Sequence, residues 1–96
     1  MFKSIVNQIE SGFRQNKILL FGSYAKGTSA KGSDIDLCIV AETKDKRNTL
    51  TDMYYDLTSD LPIDIILYTP EEWMNCIQDP CSFASQINKE GVVLYG

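Results

Sequence analysis

Three aspartates stand where carboxylates are costly. Asp34 and Asp36 bracket Ile35 at the entrance to an apolar run, and Asp64 interrupts Pro62-Ile63-Asp64-Ile65-Ile66-Leu67. Residues two apart on a strand share a face, so Asp34 and Asp36 present their carboxyl groups side by side. Two ionised carboxylates that close repel each other, and one takes up a proton unless a cation neutralises them. Mg²⁺ suits such a place, because it accepts a few carboxylates and completes its shell with waters and phosphate oxygens. Asp64 also needs a partner, since a charge inside an apolar strand is expensive alone. If its strand neighbours that of Asp36, three carboxylates meet on one patch of sheet. Such a patch fits a pair of divalent ions about 3.5–4 Å apart, as in phosphoryl-transfer sites. One ion would hold a triphosphate. The other would acidify an attacking hydroxyl, with Asp64 close by as a base.

Gly22-Ser23 follows the apolar run Ile18-Leu19-Leu20-Phe21. Glycine lets the backbone turn sharply and approach a ligand closely. The N–H groups at this turn and the Ser23 hydroxyl suit phosphate oxygens. No G-x-x-x-x-G-K-[ST] is present, so this is not a Walker A loop. Lys26 supplies charge nearby but not the bidentate fork of arginine. Each residue also has a plainer reading: Gly22-Ser23 as an ordinary turn, Asp34 at a strand entrance, Asp36 and Asp64 facing water, Lys26 solvated. The combination of Gly22-Ser23 with the three acids favours chemistry over those separate readings, while for Lys26 the solvated reading keeps the greater weight.

Gly-Ser, ten residues, then Asp-x-Asp in apolar flanks and a later lone Asp resembles the DNA polymerase beta-like nucleotidyltransferase superfamily. More closely, the chain resembles the minimal nucleotidyltransferase (MNT) group, whose members pair with HEPN-domain proteins in toxin–antitoxin modules. The resemblance implies Gly22, Ser23 and Lys26 at the nucleotide, Asp34 and Asp36 as metal ligands, and Asp64 as third ligand or base. It implies Mg²⁺, ATP or another nucleoside triphosphate as donor, and release of pyrophosphate. It also implies a HEPN-type toxin as partner, silenced by transfer of AMP to a tyrosine hydroxyl. Many members carry arginine shortly after Gly-Ser, where this chain has Tyr24 and Lys26.

Composition narrows the alternatives. The chain has 96 residues, 44% hydrophobic and 23% charged, with a formal net charge of −4. That length predicts one domain over 1–96 with no separate substrate lobe. An acidic chain is a poor general nucleic-acid binder, because phosphate neutralisation needs clustered Lys and Arg. Without histidine, Ser-His-Asp chemistry and His-ligated zinc are excluded. Cys38, Cys76 and Cys81 form no C-x-x-C, so reduced thiols are expected, with Cys38 in the core. No apolar run is long enough for a membrane span. The first residues lack the pattern of a signal peptide, so a cytoplasmic location is expected.

The elements that must position the acids follow from periodicity. Phe2, Ile5, Val6, Ile9 and Phe13 predict a helix over 2–14. Ile18–Phe21 reads as a buried strand, 22–33 as a loop, and Ile35–Val40 as a second strand. The charged segment 41–48 reads as a connection, and Leu50, Met53, Tyr54 and Leu57 as a helix ending near Leu61-Pro62. Ile63–Tyr68 is a third strand. Thr69-Pro70-Glu71-Glu72 predicts a capped helix start. Asp79-Pro80 predicts another, ending at Gly91 before a fourth strand over Val92–Tyr95. The order α-β-loop-β-α-β-α-α-β predicts an α+β nucleotidyltransferase-like fold: a small mixed sheet with helices mainly on one face. Antiparallel pairing suits strands 1 and 2, and a crossover suits strands 2 and 3. A domain without a substrate lobe must borrow an acceptor surface from a partner or a second copy. Two rivals stand beside the enzyme: a module that neutralises a partner by occlusion, and a transferase for aminoglycoside-like hydroxyls.

Overall fold

The computed structural model describes residues 6–8, 15–27, 34–56 and 62–96. Helix α1 is described over residues 6–8, and the rest of the predicted 2–14 helix lies outside the described residues. There follow β1 (Gln15–Phe21), α2 (Ser23–Lys26), β2 (Ile35–Ala41) and α3 (Lys46–Asp56). The chain continues through β3 (Ile63–Tyr68), α4 (Pro70–Ile77), α5 (Phe83–Glu90) and β4 (Val92–Tyr95). The sheet order is β3-β2-β1-β4. β1 runs antiparallel to both β2 and β4, while β2 and β3 are parallel. The α+β class, the mixed sheet and the pairing sense of β1, β2 and β3 follow the sequence reading.

The helices do not gather mainly on one face. In β1, Ile18, Leu19 and Leu20 are all buried, and so are Leu37 through Ala41 in β2. Strands apolar on both sides need cover on both sides. On one face, Ile18, Leu20, Leu37 and Ile39 pack with Met53 and Leu50 of α3 and Val6 of α1. On the other, Leu19, Cys38 and Val40 pack with Trp73 of α4 and Ala84 and Ile87 of α5. Each large apolar side chain fully buried in these layers contributes roughly 1.5–3 kcal/mol. Burial also pushes the Cys38 thiol up to about 12, so it behaves as an inert core residue.

Local chemistry sets the helix starts. The predicted capping box of α4 is present: the Glu72 N–H donates to Thr69 Oγ1 at 3.2 Å, and the Thr69 N–H donates to Glu72 Oε1 at 3.0 Å. Helix α3 starts at Lys46, inside the predicted connection, because Asp45 Oδ1 accepts from the Asn48 N–H at 3.2 Å and caps the turn. The predicted start of α5 at Asp79-Pro80 is instead a turn. Asp79 Oδ1 accepts from the Cys81 N–H, two residues on, at 3.0 Å. Ser82 is the N-cap, its Oγ accepting from the Ser85 N–H at 3.0 Å. Gly91 closes α5 as expected; a Cβ there would stand 3.2 Å from the Leu20 carbonyl oxygen.

The two sheet edges differ. Tyr54 of α3 accepts the Ile65 N–H through its hydroxyl at 2.6 Å, which occupies part of the outer edge of β3. At the other edge, Val92 and Val93 of β4 are exposed. No helix among the described residues is long and apolar enough to cross a membrane.

The Glu72 carboxyl is held below its ordinary value of 4.5, first by the Thr69 N–H and then by Lys46, 3.0 Å away. A lowered folded value stabilises above the unfolded value and is lost as pH falls through the folded one. Thr69→Ala is therefore expected to cost about 1 kcal/mol in denaturant titrations at pH 7. Glu72→Gln is expected to flatten the loss of stability below pH 4.5.

Candidate functional site

The parallel register of β2 and β3 sets Asp36 directly beside Asp64. Register partners on neighbouring strands project to one face, so both carboxyls share a side of the sheet. It is the side covered further along by Cys38, Val40 and Trp73. Asp34 precedes β2 with the same parity as Asp36. The Ile35 N–H donates to the Pro62 carbonyl at 2.8 Å, tying the start of β2 to the start of β3.

The acids influence one another electrostatically. The Asp34 carboxyl is raised above its ordinary 3.8, first by a hydrogen bond with the Asp64 side chain and then by desolvation and the Asp64 charge. Asp34 is exposed, so the hydrogen bond between carboxyls dominates. Asp36 is half-buried and also raised, first by burial and then by the charges of Asp64 and Asp34. Carboxyls whose charged forms are disfavoured by one another mark a place that a positive counterpart would relieve. All donors are hard oxygens, which fits Mg²⁺. Among the described residues, no three His, Cys, Asp or Glu side chains close into a ready-made metal cage.

Gly22 borders this cluster from β1. Its φ of +74° lies in the left-handed region, and a Cβ there would stand 3.2 Å from the Asp36 carboxyl carbon. Both facts require glycine, because another residue would strain the turn and displace the carboxylate. Ser23 begins α2 directly afterwards, and the Lys26 N–H closes the turn on the Gly22 carbonyl at 3.2 Å. The structure thus brings Gly22, Asp34, Asp36 and Asp64 together, with the backbone of Ser23 adjoining. Lys26 sits one turn away, its ammonium 3.9 Å from Glu90 of α5. Sequence reasoning missed Glu90 and the contact of Phe83 with Phe21 beside Asp36. Their separation along the chain leaves no local signal for either.

The family model described as Nucleotidyltransferase domain matches residues 1–94. A relative from Methanocaldococcus jannaschii, MJ0604, whose name gives it a proposed protein adenylyltransferase activity, is 48% identical over 42 residues. That match spans 42% of this chain and 42% of the relative, so less than half of the relative's length is covered. A crystal structure of a toxin–antitoxin with AMP-PNP superimposes with a TM-score of 0.68 and 25% identity, over 98% of this chain and 72% of that one. The structure of a toxin–antitoxin MntA-HpeT mutant gives a TM-score of 0.66 and 24% identity, over 100% of this chain and 72% of that one. A Sulfolobus solfataricus protein assigned as a nucleotidyltransferase gives a TM-score of 0.65 and 21% identity, over 96% and 74%. The last two likenesses establish the fold.

A carboxyl raised in the folded state stabilises below its unfolded value, and that stability is lost as pH rises through the folded value. The raised Asp36 carboxyl therefore lowers stability at neutral pH relative to acid. Asp36→Asn is expected to raise the thermal midpoint at pH 7 in chelator, and the gain is expected to vanish near pH 3. Scanning calorimetry at both pH values checks the sign.

Proposed function

The chain belongs to the nucleotidyltransferase domain family, and on that footing we propose that it transfers AMP from ATP to a hydroxyl of a toxin partner. The observation that carries the proposal is the in-register pair Asp36 and Asp64, with Asp34 two residues before Asp36 on the same side. Asp34 and Asp36 would hold Mg²⁺, with Asp64 as third ligand or as base. When bound, the ions neutralise the triphosphate and acidify the acceptor hydroxyl. The backbone N–H groups after the Gly22 turn would suit phosphate oxygens. Lys26 contributes positive charge at the rim. The acceptor oxygen attacks the α-phosphorus, the bond from that phosphorus to the β-phosphate bridge breaks, and pyrophosphate leaves. Asp64, exposed beside Asp36, can accept the hydroxyl proton.

The name of the M. jannaschii relative supports a protein acceptor. The toxin–antitoxin neighbours support a toxin as that protein, and the neighbour with AMP-PNP supports a nucleoside triphosphate as donor. We take the toxin to be of HEPN type and the acceptor to be a tyrosine.

Incubation of the chain with ATP, Mg²⁺ and its toxin partner is expected to add the mass of one or more AMP groups to the toxin. Asp36→Asn is expected to slow that transfer by at least about a hundredfold while the circular dichroism spectrum stays native. A toxin that is inhibited yet unmodified by the unsubstituted chain would contradict the proposal and favour occlusion.

A further inference from the structure

An exposed aromatic ring stands on the same face as the acids. Phe83, the first residue of α5, leaves 52% of its surface exposed. Its ring meets that of Phe21 at nearly right angles, 87° between planes, with centroids 5.6 Å apart. Phe21 ends β1 and is the register partner of Asp36. Directly opposed residues of an antiparallel pair project to the same side. Phe83 is thus reached from Asp36 by one strand spacing, about 4.8 Å, and one ring contact. That offset is of the order of the span from phosphate to base in a nucleotide.

The mount is firm. Ser82 caps α5 through the Ser85 N–H and donates its own hydroxyl to the Cys76 carbonyl, which ties the start of α5 to the end of α4. Ala84 and Ile87 anchor the same helix in the core. A phenyl group held this way and half open to solvent presents π surface at little cost in side-chain freedom.

We propose that Phe83 is the platform on which the base of the nucleoside triphosphate stacks. The proposal rests on the triphosphate site described under Proposed function and adds the place of the base. Stacking uses the π face common to all bases, so Phe83 supplies affinity and does not choose among them.

Two probes separate the parts. One is an ATP analogue with a methylene group between its α and β phosphorus atoms, which cannot undergo transfer. The other is inorganic tripolyphosphate, which has no base. Each is titrated calorimetrically with Mg²⁺ into the unsubstituted chain and into Phe83→Leu and Phe83→Trp. Leucine keeps apolar bulk without a π face, and tryptophan keeps the π face. Phe83→Leu is expected to weaken the ATP analogue about tenfold and leave tripolyphosphate unchanged. Phe83→Trp is expected to bind both like the unsubstituted chain. An unchanged affinity of Phe83→Leu for the ATP analogue would overturn the proposal, and so would an equal loss for both probes. If the unsubstituted chain binds tripolyphosphate but gains nothing from the base, this proposal fails and the triphosphate site stands. If it binds neither probe, the triphosphate site fails and this proposal with it.

Discussion

Asp36 and Asp64 lie side by side on parallel strands, on one face, with Asp34 two residues before Asp36. Like charges on adjacent strands oppose pairing, yet here they stand at the very start of the β2–β3 pair. The pairing survives because the rest of both strands is held elsewhere. Leu37 through Ala41 are buried on both faces, and Ile65 and Leu67 join the same core. The sheet behaves as a stiff frame that keeps three acids together against their repulsion. Strain of this kind belongs at a functional site, where a ligand of opposite charge can relieve it.

The frame explains the surrounding choices. Gly22 has no side chain because the Asp36 carboxylate occupies that space. Gly91 has none because Leu20 and Ile87 carbonyls crowd it, which lets β4 dock against β1 directly after α5. Helices α4 and α5 then cover only the far part of the carboxylate face, through Trp73, Ala84 and Ile87. Among the described residues, Asp34 and Asp64 remain exposed.

Much of this was readable in the residues. Asp34, Asp36 and Asp64 announce themselves because carboxylates interrupt apolar strands, and strand periodicity forecasts their shared face. The capping box at Thr69 is a local pattern and forms as read. The helix start at Asp79-Pro80 was misplaced because two local solutions compete, and the Asp79 carboxylate satisfies the Cys81 N–H in a turn instead. The division of helices between two faces was also implicit. An unbroken run such as Ile18-Leu19-Leu20 demands cover on both sides, whereas alternation would have allowed one. Contacts such as Phe21 with Phe83 or Lys26 with Glu90 depend on tertiary geometry and carry no short-range signature.

Under the proposed function, Asp34, Asp36 and Asp64 hold divalent ions together. Mn²⁺ can replace Mg²⁺ as a paramagnetic probe, and aspartate labelled at its carboxyl carbon reports proximity by nuclear magnetic resonance. With a non-transferable ATP analogue present, the carboxyl signals of Asp34, Asp36 and Asp64 are expected to broaden at the same substoichiometric Mn²⁺, ahead of Asp45, Asp52 and Asp79. A signal from Asp64 that stays sharp while the other two disappear would contradict the shared site.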